Sequence, residues 1–189
     1  MATFLYLVVL FFLITAAYAG FKGAPFVPTL SKDIRQALSV LKNEKFESAI
    51  DLGCGTGSML FAVAQERPQV RLSGYEVSLA PLLFGWIRKC FSPKKYRNVH
   101  LYWKNLYSVD VSFADVIFVF MMPEPHTRIA KTVLTRAKSH ALVLFEAWPP
   151  EGFVPDRTEK QDGCLPLHVY HGSAFRSAQQ TASKVSHLR

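Results

Sequence analysis

Apolar and polar residues follow one another along residues 31–175 in two alternating patterns. Short apolar runs of strand length are separated by stretches in which apolar residues recur every three or four positions, the period of an amphipathic helix. This alternation is typical of an α/β fold with a mainly parallel sheet and helices on both faces. The predicted strands cover 48–51, 70–77, 99–103, 114–121 and 140–147, and the predicted helices cover 31–41, with Ser31 as N-cap, 58–65, 80–90 and 125–138.

The pattern weakens toward the C-terminus. Residues 153–165 are too polar and too few for a good crossover helix, whereas 166–170 and 171–175 suggest an antiparallel hairpin that turns near Gly172. Residues 176–189 carry Ser, Gln, Ala and scattered basic residues without periodicity, so they predict a disordered tail. We therefore expect the sheet to end in a compact antiparallel edge.

Three glycines at alternate positions, Gly53, Gly55 and Gly57, follow the acidic Asp51 at the end of the first predicted strand. Glycine adopts positive φ and has no Cβ, so a ligand can lie against the backbone, facing the N–H groups that begin the next helix. A dinucleotide-binding loop has the spacing G-x-G-x-x-G and holds a diphosphate. The spacing here is G-x-G-x-G behind an acid. It favours a ligand with an amino group and a carboxylate, with a dinucleotide or an empty structural turn as alternatives.

The sequence D-L-G-C-G-T-G at 51–57 resembles the first motif of class I S-adenosylmethionine (SAM) methyltransferases. The resemblance implies that this loop, Cys54 included, wraps the methionine part of SAM and that Asp51 holds its ammonium group, directly or through water. Glu76 stands 19 residues after Gly57, close to the offset of about 20 at which a carboxylate meets ribose hydroxyls. Asn105 follows the third strand, where such enzymes often have an adenine-binding acid, and its carbonyl can still accept a hydrogen bond.

The segment that follows the fourth predicted strand is the candidate for catalysis, because open α/β folds bind their ligands at this edge of the sheet. It contains Pro123, Glu124, Pro125 and His126. The prolines would stiffen the backbone, and Glu124 or His126 could orient or deprotonate a nucleophile. The alternative is that Glu124 and Pro125 simply open the next helix.

Composition adds a charge argument. The chain has 189 residues, enough for one domain, with 50% hydrophobic residues and a formal net charge of +8, which suits an anionic partner. Basic and aromatic residues alternate over 86–97, a mixture that fits nucleic acid, anionic lipid headgroups or a merely solvated face. The three cysteines are widely spaced without a C-x-x-C pair, so neither a disulfide framework nor a metal site is expected.

Residues 4–19 are uncharged and almost wholly apolar, just short of the roughly 17–25 residues that usually cross a bilayer. Ala17, Tyr18 and Ala19 also fit the cleavage pattern of a secretory signal, and a buried core helix is a third possibility. SAM is made and kept inside cells, so an exported SAM enzyme would lack its cofactor. We therefore expect an uncleaved anchor with Lys22, Lys32 and Arg35 on the inner side.

Two further segments narrow the family: G-A-P-F-V-P-T at 23–29, past the apolar segment, and A-D-V-I-F-V-F-M-M-P at 114–123. Both are similar to the small membrane-anchored lysine methyltransferases, which include mitochondrial enzymes that modify the adenine nucleotide translocase and the rotor-ring protein of ATP synthase, together with bacterial relatives. The resemblance covers about residues 23–170. It implies a Rossmann-like seven-strand-type methyltransferase fold, residues 25–29 in the active site with Thr29 at the cofactor, and Met122 and Pro123 lining the target channel.

We therefore expect four segments: a transmembrane anchor or signal-like segment at 1–20, a Pro-rich connector at 21–30, a SAM-dependent methyltransferase domain at 31–175 and the tail at 176–189. The expected activity is transfer of a methyl group from SAM to a lysine of a membrane-embedded or membrane-associated protein. The alternatives are an RNA or small-molecule methyltransferase and a catalytically silent SAM-binding membrane protein.

The expected partners are that protein substrate and the lipid bilayer. Nucleic acid is not expected, because the chain has no RNA-binding domain, and the sequence leaves the oligomeric state open. No sequence rich in Arg and Ser precedes the apolar segment as a mitochondrial address would. We expect a catalytic domain that faces the cytoplasm at a bacterial inner membrane or, in a eukaryote, lies at the mitochondrial inner membrane.

Overall fold

The computed structural model describes residues 28–176, together with residues 1, 3–7, 9–10 and 14. Residues 28–176 form a seven-stranded sheet with the strand order β3-β2-β1-β4-β5-β7-β6. The strands are β1 (Ser48–Leu52), β2 (Arg71–Glu76), β3 (Val99–Trp103), β4 (Val116–Val119), β5 (Leu142–Glu146), β6 (Arg157–Glu159) and β7 (Leu167–His171). The helices are α1 (Ser31–Leu41), α2 (Ser58–Glu66), α3 (Leu79–Phe91) and α4 (His126–Thr132), with 3₁₀ turns at Leu106–Ser108 and Leu134–Arg136.

Strands β1 to β5 are all parallel, and β1 lies between β2 and β4. The chain therefore winds outward in two directions from β1, so the carboxyl ends of β1 and β4 flank the topological switch point at which open α/β sheets bind ligands. Strand β7 pairs antiparallel with both β5 and β6. The expected α/β fold, mainly parallel with an antiparallel edge, is confirmed.

Two apolar layers sandwich the sheet. Apolar residues of α1, α2 and α3 pack on one face against side chains such as Phe118 and Leu144. Apolar residues of α4 and the following 3₁₀ turn pack on the other face against side chains such as Ile117 and Phe145. The β4 and β5 runs are buried on both faces, which explains why they read as continuous apolar segments in the sequence.

The C-terminal edge differs from the predicted hairpin, which was wrong in its second strand. Strand β7 pairs with Arg157–Glu159, a segment whose polar and largely exposed residues give no strand signal in the sequence. Gly172 lies so close to Lys138 that a Cβ there would collide with the Lys138 carbonyl oxygen. The chain turns there and buries Phe175 completely instead of forming a strand.

Smaller differences concern element ends. Leu30, not Ser31, is the N-cap of α1, and no side chain caps that helix. Strand β4 is shorter than the predicted 114–121, and α4 ends at Thr132 before the 3₁₀ turn. The first and third strands and the remaining helices match their predictions to within a residue.

The N-terminal part of the chain is described only in places. Residues 3–7 and 9–10 are helical and exposed. The described residues contain no helix that is both long and apolar enough to span a bilayer. The predicted anchor at 4–19 lies partly, and the predicted connector at 21–30 mostly, outside the described residues, as does all of the predicted tail after residue 176.

Candidate functional site

A cleft opens at the carboxyl ends of β1 and β4, where the topology predicts a ligand site. Its free space is about 640 Å³, open solvent at the mouth included. The lining residues are Pro28, Thr29, Asp51, Gly53, Cys54, Gly55, Thr56, Ser58, Met59, Glu76, Val77, Leu106, Phe120 and Met121.

The glycine loop has the backbone conformation that its sequence demands. Gly53, Gly55 and Gly57 have φ values of +83°, +52° and +78°, which other residues rarely adopt. Gly57 is the N-cap of α2, and no side chain occupies the capping position. The first turn of α2, at Ser58 and Met59, therefore lines the cleft as a potential anion site.

Two glycines outside the motif make room for this loop. A Cβ at Gly85 on α3 would lie 2.8 Å from the Thr56 carbonyl oxygen, and a Cβ at Gly74 on β2 would lie 2.7 Å from the Cys54 sulfur. The Cys54 side chain thus packs against β2, and burial raises its pKa well above the ordinary value. Of the predicted cofactor residues in the loop, Asp51, Gly53, Cys54 and Gly55 line the cleft, whereas Gly57 shapes it from behind.

Asp51 is a buried carboxylate without a counter-charge in the described part of the cleft. It is 4% exposed. Burial raises its pKa to about 8, and repulsion from Glu76 and Glu146 adds to the shift. A cationic group bound beside it would reverse both effects, because an opposite charge favours the ionised carboxylate. This is the environment expected of an acid that receives a ligand's ammonium group.

Glu76 also lines the cleft, but its carboxylate already has protein partners. One oxygen accepts the Gly55 N–H at 2.9 Å, and the other accepts the N–H groups of Val77 and Ser78 at 2.8 and 2.7 Å. Burial raises its pKa, although these three hydrogen bonds act in the opposite direction. Glu76 therefore links the glycine loop to the start of α3 through hydrogen bonds. This structural role was not predicted. The ribose contact stays a prediction.

Asn105 is exposed and does not line the cleft. Its side-chain carbonyl accepts the Tyr107 N–H at 3.1 Å and so caps the 3₁₀ turn that follows β3. The next residue, Leu106, reaches the cleft instead. The predicted adenine contact of Asn105 stays a prediction.

The predicted catalytic residues Pro123, Glu124 and His126 are not among the residues that line the cleft. Glu124 is exposed, whereas His126 is 1% exposed. The two ring nitrogens of His126 lie 2.8 Å from the Trp148 carbonyl oxygen and 3.1 Å from that of Met121, and burial lowers its pKa. His126 therefore joins the ends of β4 and β5. This geometry disfavours it as a base, and a catalytic role for the three residues stays a prediction.

The sequence analysis missed several lining residues, chiefly apolar ones that close the cleft: Met59, Val77, Leu106, Phe120 and Met121. Most of them share a simple signal, which is their place within three residues of a strand's carboxyl end. Glu146, at the end of β5, was also missed, although it interacts electrostatically with Asp51.

The basic segment 86–97, which begins within α3, is partly engaged within the protein. The Arg88 guanidinium lies 4.5 Å from the centre of the Phe61 ring, and the Lys95 ammonium lies 3.1 Å from the Gln65 side-chain oxygen. Lys89 donates to the Val99 carbonyl. Lys94 and Arg97 are exposed. The segment thus offers fewer free cations than its sequence suggests.

The chain is similar to known methyltransferases over most of its length. Residues 34–140 match the family described as methyltransferase small domain. The chain is 26% identical over 164 residues to a lysine N-methyltransferase of Xenopus laevis that is named for the C subunit of ATP synthase, covering 85% of this chain and 70% of that protein. It is 24% identical over 151 residues to a protein-lysine N-methyltransferase of Saccharolobus islandicus, covering 77% and 91%.

Among solved structures, an RNA methyltransferase from Salinibacter ruber in complex with S-adenosyl-L-homocysteine superposes with a TM-score of 0.69 at 18% identity, covering 77% of this chain and 93% of that one. At this identity the likeness shows the shared fold alone.

Proposed function

Since this chain belongs to the methyltransferase small domain family and is a SAM-dependent methyltransferase, we propose that it methylates a lysine side chain of a membrane-embedded or membrane-associated protein. Two relatives named as lysine methyltransferases, one from a frog and one from an archaeon, support the lysine acceptor. Their alignments cover 70% and 91% of those proteins, so the likeness extends over most of each enzyme.

The observation that carries the proposal is the sign of the charge at the cleft. Among the described lining residues, the carboxylates are Asp51 and Glu76, and none is Lys, Arg or His. Glu146 lies close enough to raise the pKa of Asp51. An acidic cleft attracts an ammonium group and repels a polyphosphate chain. The lining thus offers no cation to a phosphate backbone, which disfavours RNA, and lysine, the acceptor in the names of both relatives, fits better.

SAM fits the residues of the cleft. Asp51 would pair with its ammonium group, the backbone of Gly53, Cys54 and Gly55 would lie against its methionine part, and Glu76 is the candidate for its ribose. When bound, SAM supplies an electrophilic methyl group. The residues of this chain position the acceptor amine and, through Leu106, Phe120 and Met121, exclude water from it.

A location at the membrane is the second half of the proposal. It rests on the apolar segment 4–19 as an anchor. Thr29 at the cleft follows Ala19 by only ten positions, and such a segment extends at most about 35 Å. Large apolar side chains on α3 and at the end of β3 are also exposed, including Phe91 at 85% and Trp103 at 62%. The cytoplasmic face of a bacterial inner membrane, or the mitochondrial inner membrane of a eukaryote, is the proposed site of action.

The test is transfer of a radiolabelled methyl group from SAM into membranes and into soluble extract, with the full chain and with a chain that lacks residues 1–20. Because the anchor raises the effective concentration of membrane acceptors only, its removal should leave SAM binding intact and sharply reduce labelling of membrane protein. Labelling confined to RNA or to soluble molecules, and indifferent to the deletion, would favour the RNA or small-molecule alternative. SAM binding without any transfer would favour the silent binding protein.

A further inference from the structure

Two carboxylates that interact electrostatically, Asp33 and Glu146, each have a buried oxygen without a hydrogen-bond partner in the described part of the chain. Asp33, in the first turn of α1, is 3% exposed; its Oδ1 accepts the Leu165 N–H at 2.9 Å, while its Oδ2 is buried and unpartnered. Glu146, the last residue of β5, has a buried and unpartnered Oε1. Neither of these two oxygens has a partner among the residues that the structure describes. Buried carboxylate oxygens are usually hydrogen-bonded, so the pair requires an explanation.

The strand register places this pair next to the cleft. Strands β4 and β5 are parallel and pair Val119 with Phe145. The next position in this register sets Phe120, which lines the cleft, beside Glu146 on the same face of the sheet. Asp33 follows Thr29, another lining residue, by four positions. Glu146 therefore lies on the β5 side of the cleft, behind its lining residues, and Asp33 lies within electrostatic reach of Glu146.

The electrostatics of the pair favour a bound cation. Asp33 and Glu146 repel each other, and neither forms an ion pair with a described Lys, Arg or His. Burial is the larger cause, and repulsion from Asp33 the smaller one, of a rise in the pKa of Glu146 to about 7. The other titratable groups nearby are Asp51 on β1 and His168 on β7, whose ring contacts Thr158 and the Ala147 carbonyl. No described cation offsets this concentration of acids.

We propose that Asp33 and Glu146 bind the ε-ammonium group of the acceptor lysine and that Glu146 accepts its proton. This inference rests on the proposed lysine methyltransferase function. An ammonium group offers three N–H donors, and the pair offers at least two free oxygens in a buried setting, where charge-assisted hydrogen bonds are strong. The site thus selects a long cationic side chain that reaches past Phe120.

The proposed step balances in protons and electrons. The ammonium group gives one proton to the Glu146 carboxylate, which becomes a neutral carboxylic acid, and the freed nitrogen lone pair forms the new N–CH₃ bond. The S–CH₃ bond of the methyl donor breaks, its electron pair stays on sulfur, and the sulfonium becomes a neutral thioether. A base whose pKa lies near the working pH is well matched to this proton transfer.

The first test measures the ammonium site without any transfer. The probe is n-butylammonium, added in the presence of S-adenosyl-L-homocysteine and followed by NMR. The wild type should bind it saturably, and Glu146→Gln and Asp33→Asn should each weaken binding by about tenfold or more. Glu151→Gln, an exposed control beyond the same strand, should bind as the wild type does. Absence of saturable binding to the wild type, or unchanged binding in both variants, would overturn the proposal.

The second test follows the rate of lysine methylation in membranes against pH. At limiting acceptor concentration, where the rate reports the groups of the free enzyme, the wild-type rate should rise through about pH 7 as Glu146 loses its proton. Glu146→Gln should lower the maximal rate by about 10²-fold or more, the contribution typical of general base catalysis, with the affinity for SAM within about threefold of wild type. Glu146→Asp should restore part of the rate, which a merely structural role would not predict.

The two hypotheses fail in different ways. If the wild type labels lysine but both variants keep wild-type rates and pH profiles, the carboxylates share a proton as a structural pair, and the lysine methyltransferase function stands. If the wild type labels RNA or a small molecule and no lysine, the proposed function and this inference both fall. Thermal unfolding and SAM titration of each variant exclude misfolding as the cause of a lost rate.

Discussion

Replacing Glu76 by Gln should loosen the glycine loop by a calculable amount. The carboxylate accepts three backbone N–H groups with two oxygens, whereas the amide has only one acceptor oxygen. If that oxygen keeps the Val77 and Ser78 N–H groups, the amide NH₂ faces the Gly55 N–H, and one hydrogen bond to a charged acceptor is lost. Such bonds contribute about 1.5–3 kcal/mol.

The net effect lies at the lower end of that range, because the amide also avoids the cost of burying a charge, which raises the pKa of Glu76. A loss of about 1.5 kcal/mol corresponds to a fall in Tm of about 3–6 °C for a chain of this size. SAM affinity should fall about tenfold or more, since the Gly55 backbone is no longer held. Differential scanning calorimetry and isothermal titration measure the two quantities.

Glu66→Gln, on the exposed end of α2, is the matched control and should change neither quantity. Wild-type Tm and wild-type SAM affinity in Glu76→Gln would show that Glu76 does not hold the loop. A normal Tm with a tenfold loss of SAM affinity would instead assign Glu76 to the ligand alone.

Three further predictions concern the loop, the buried acid and the buried histidine. Gly55→Val should abolish SAM binding in a calorimetric titration while circular dichroism shows a folded domain, because φ of +52° strains a branched residue. SAM binding should release protons and strengthen as pH rises from 6 to 8, since the pKa of Asp51 is about 8 and a bound ammonium favours the carboxylate; titration in buffers of different ionisation enthalpy measures this, and Asp51→Asn should remove it. The stability advantage of the wild type over His126→Gln should shrink as pH falls below 6.5, because burial lowers the folded-state pKa and the unfolded state takes up the proton first; urea unfolding at pH 7.5 and 5.5 tests this.

The sequence was most informative where backbone geometry and residue type are tightly coupled. The loop at 53–57 requires positive φ at alternate positions, so its glycines identify both the turn and the ligand site. Strands β4 and β5 are buried on both faces and appear as unbroken apolar runs. The glycine turn also marks the end of β1, and Asp51 lies in that strand two residues before the first glycine.

The sequence was least informative where long-range contacts decide. His126 has the residue type and sequence position expected of a base, but its two ring nitrogens lie within hydrogen-bond distance of the carbonyl oxygens of Met121 and Trp148. Glu146 and Asp33 lie far apart in the chain, and only the pairing of β4 with β5 and the packing of α1 bring them to the cleft. Strand β6 is an exposed polar edge, so its pairing depends on β7 and leaves no periodic pattern.

The most direct test of the account is to identify the atom that receives the methyl group. Membranes and soluble extract are incubated with the full chain and SAM carrying a deuterated methyl group, and the labelled material is hydrolysed and analysed by mass spectrometry. The account predicts label on the ε-nitrogen of lysine, in protein from the membrane fraction, and no label with Gly55→Val. Label found only in RNA, in small molecules or on another amino acid would contradict it.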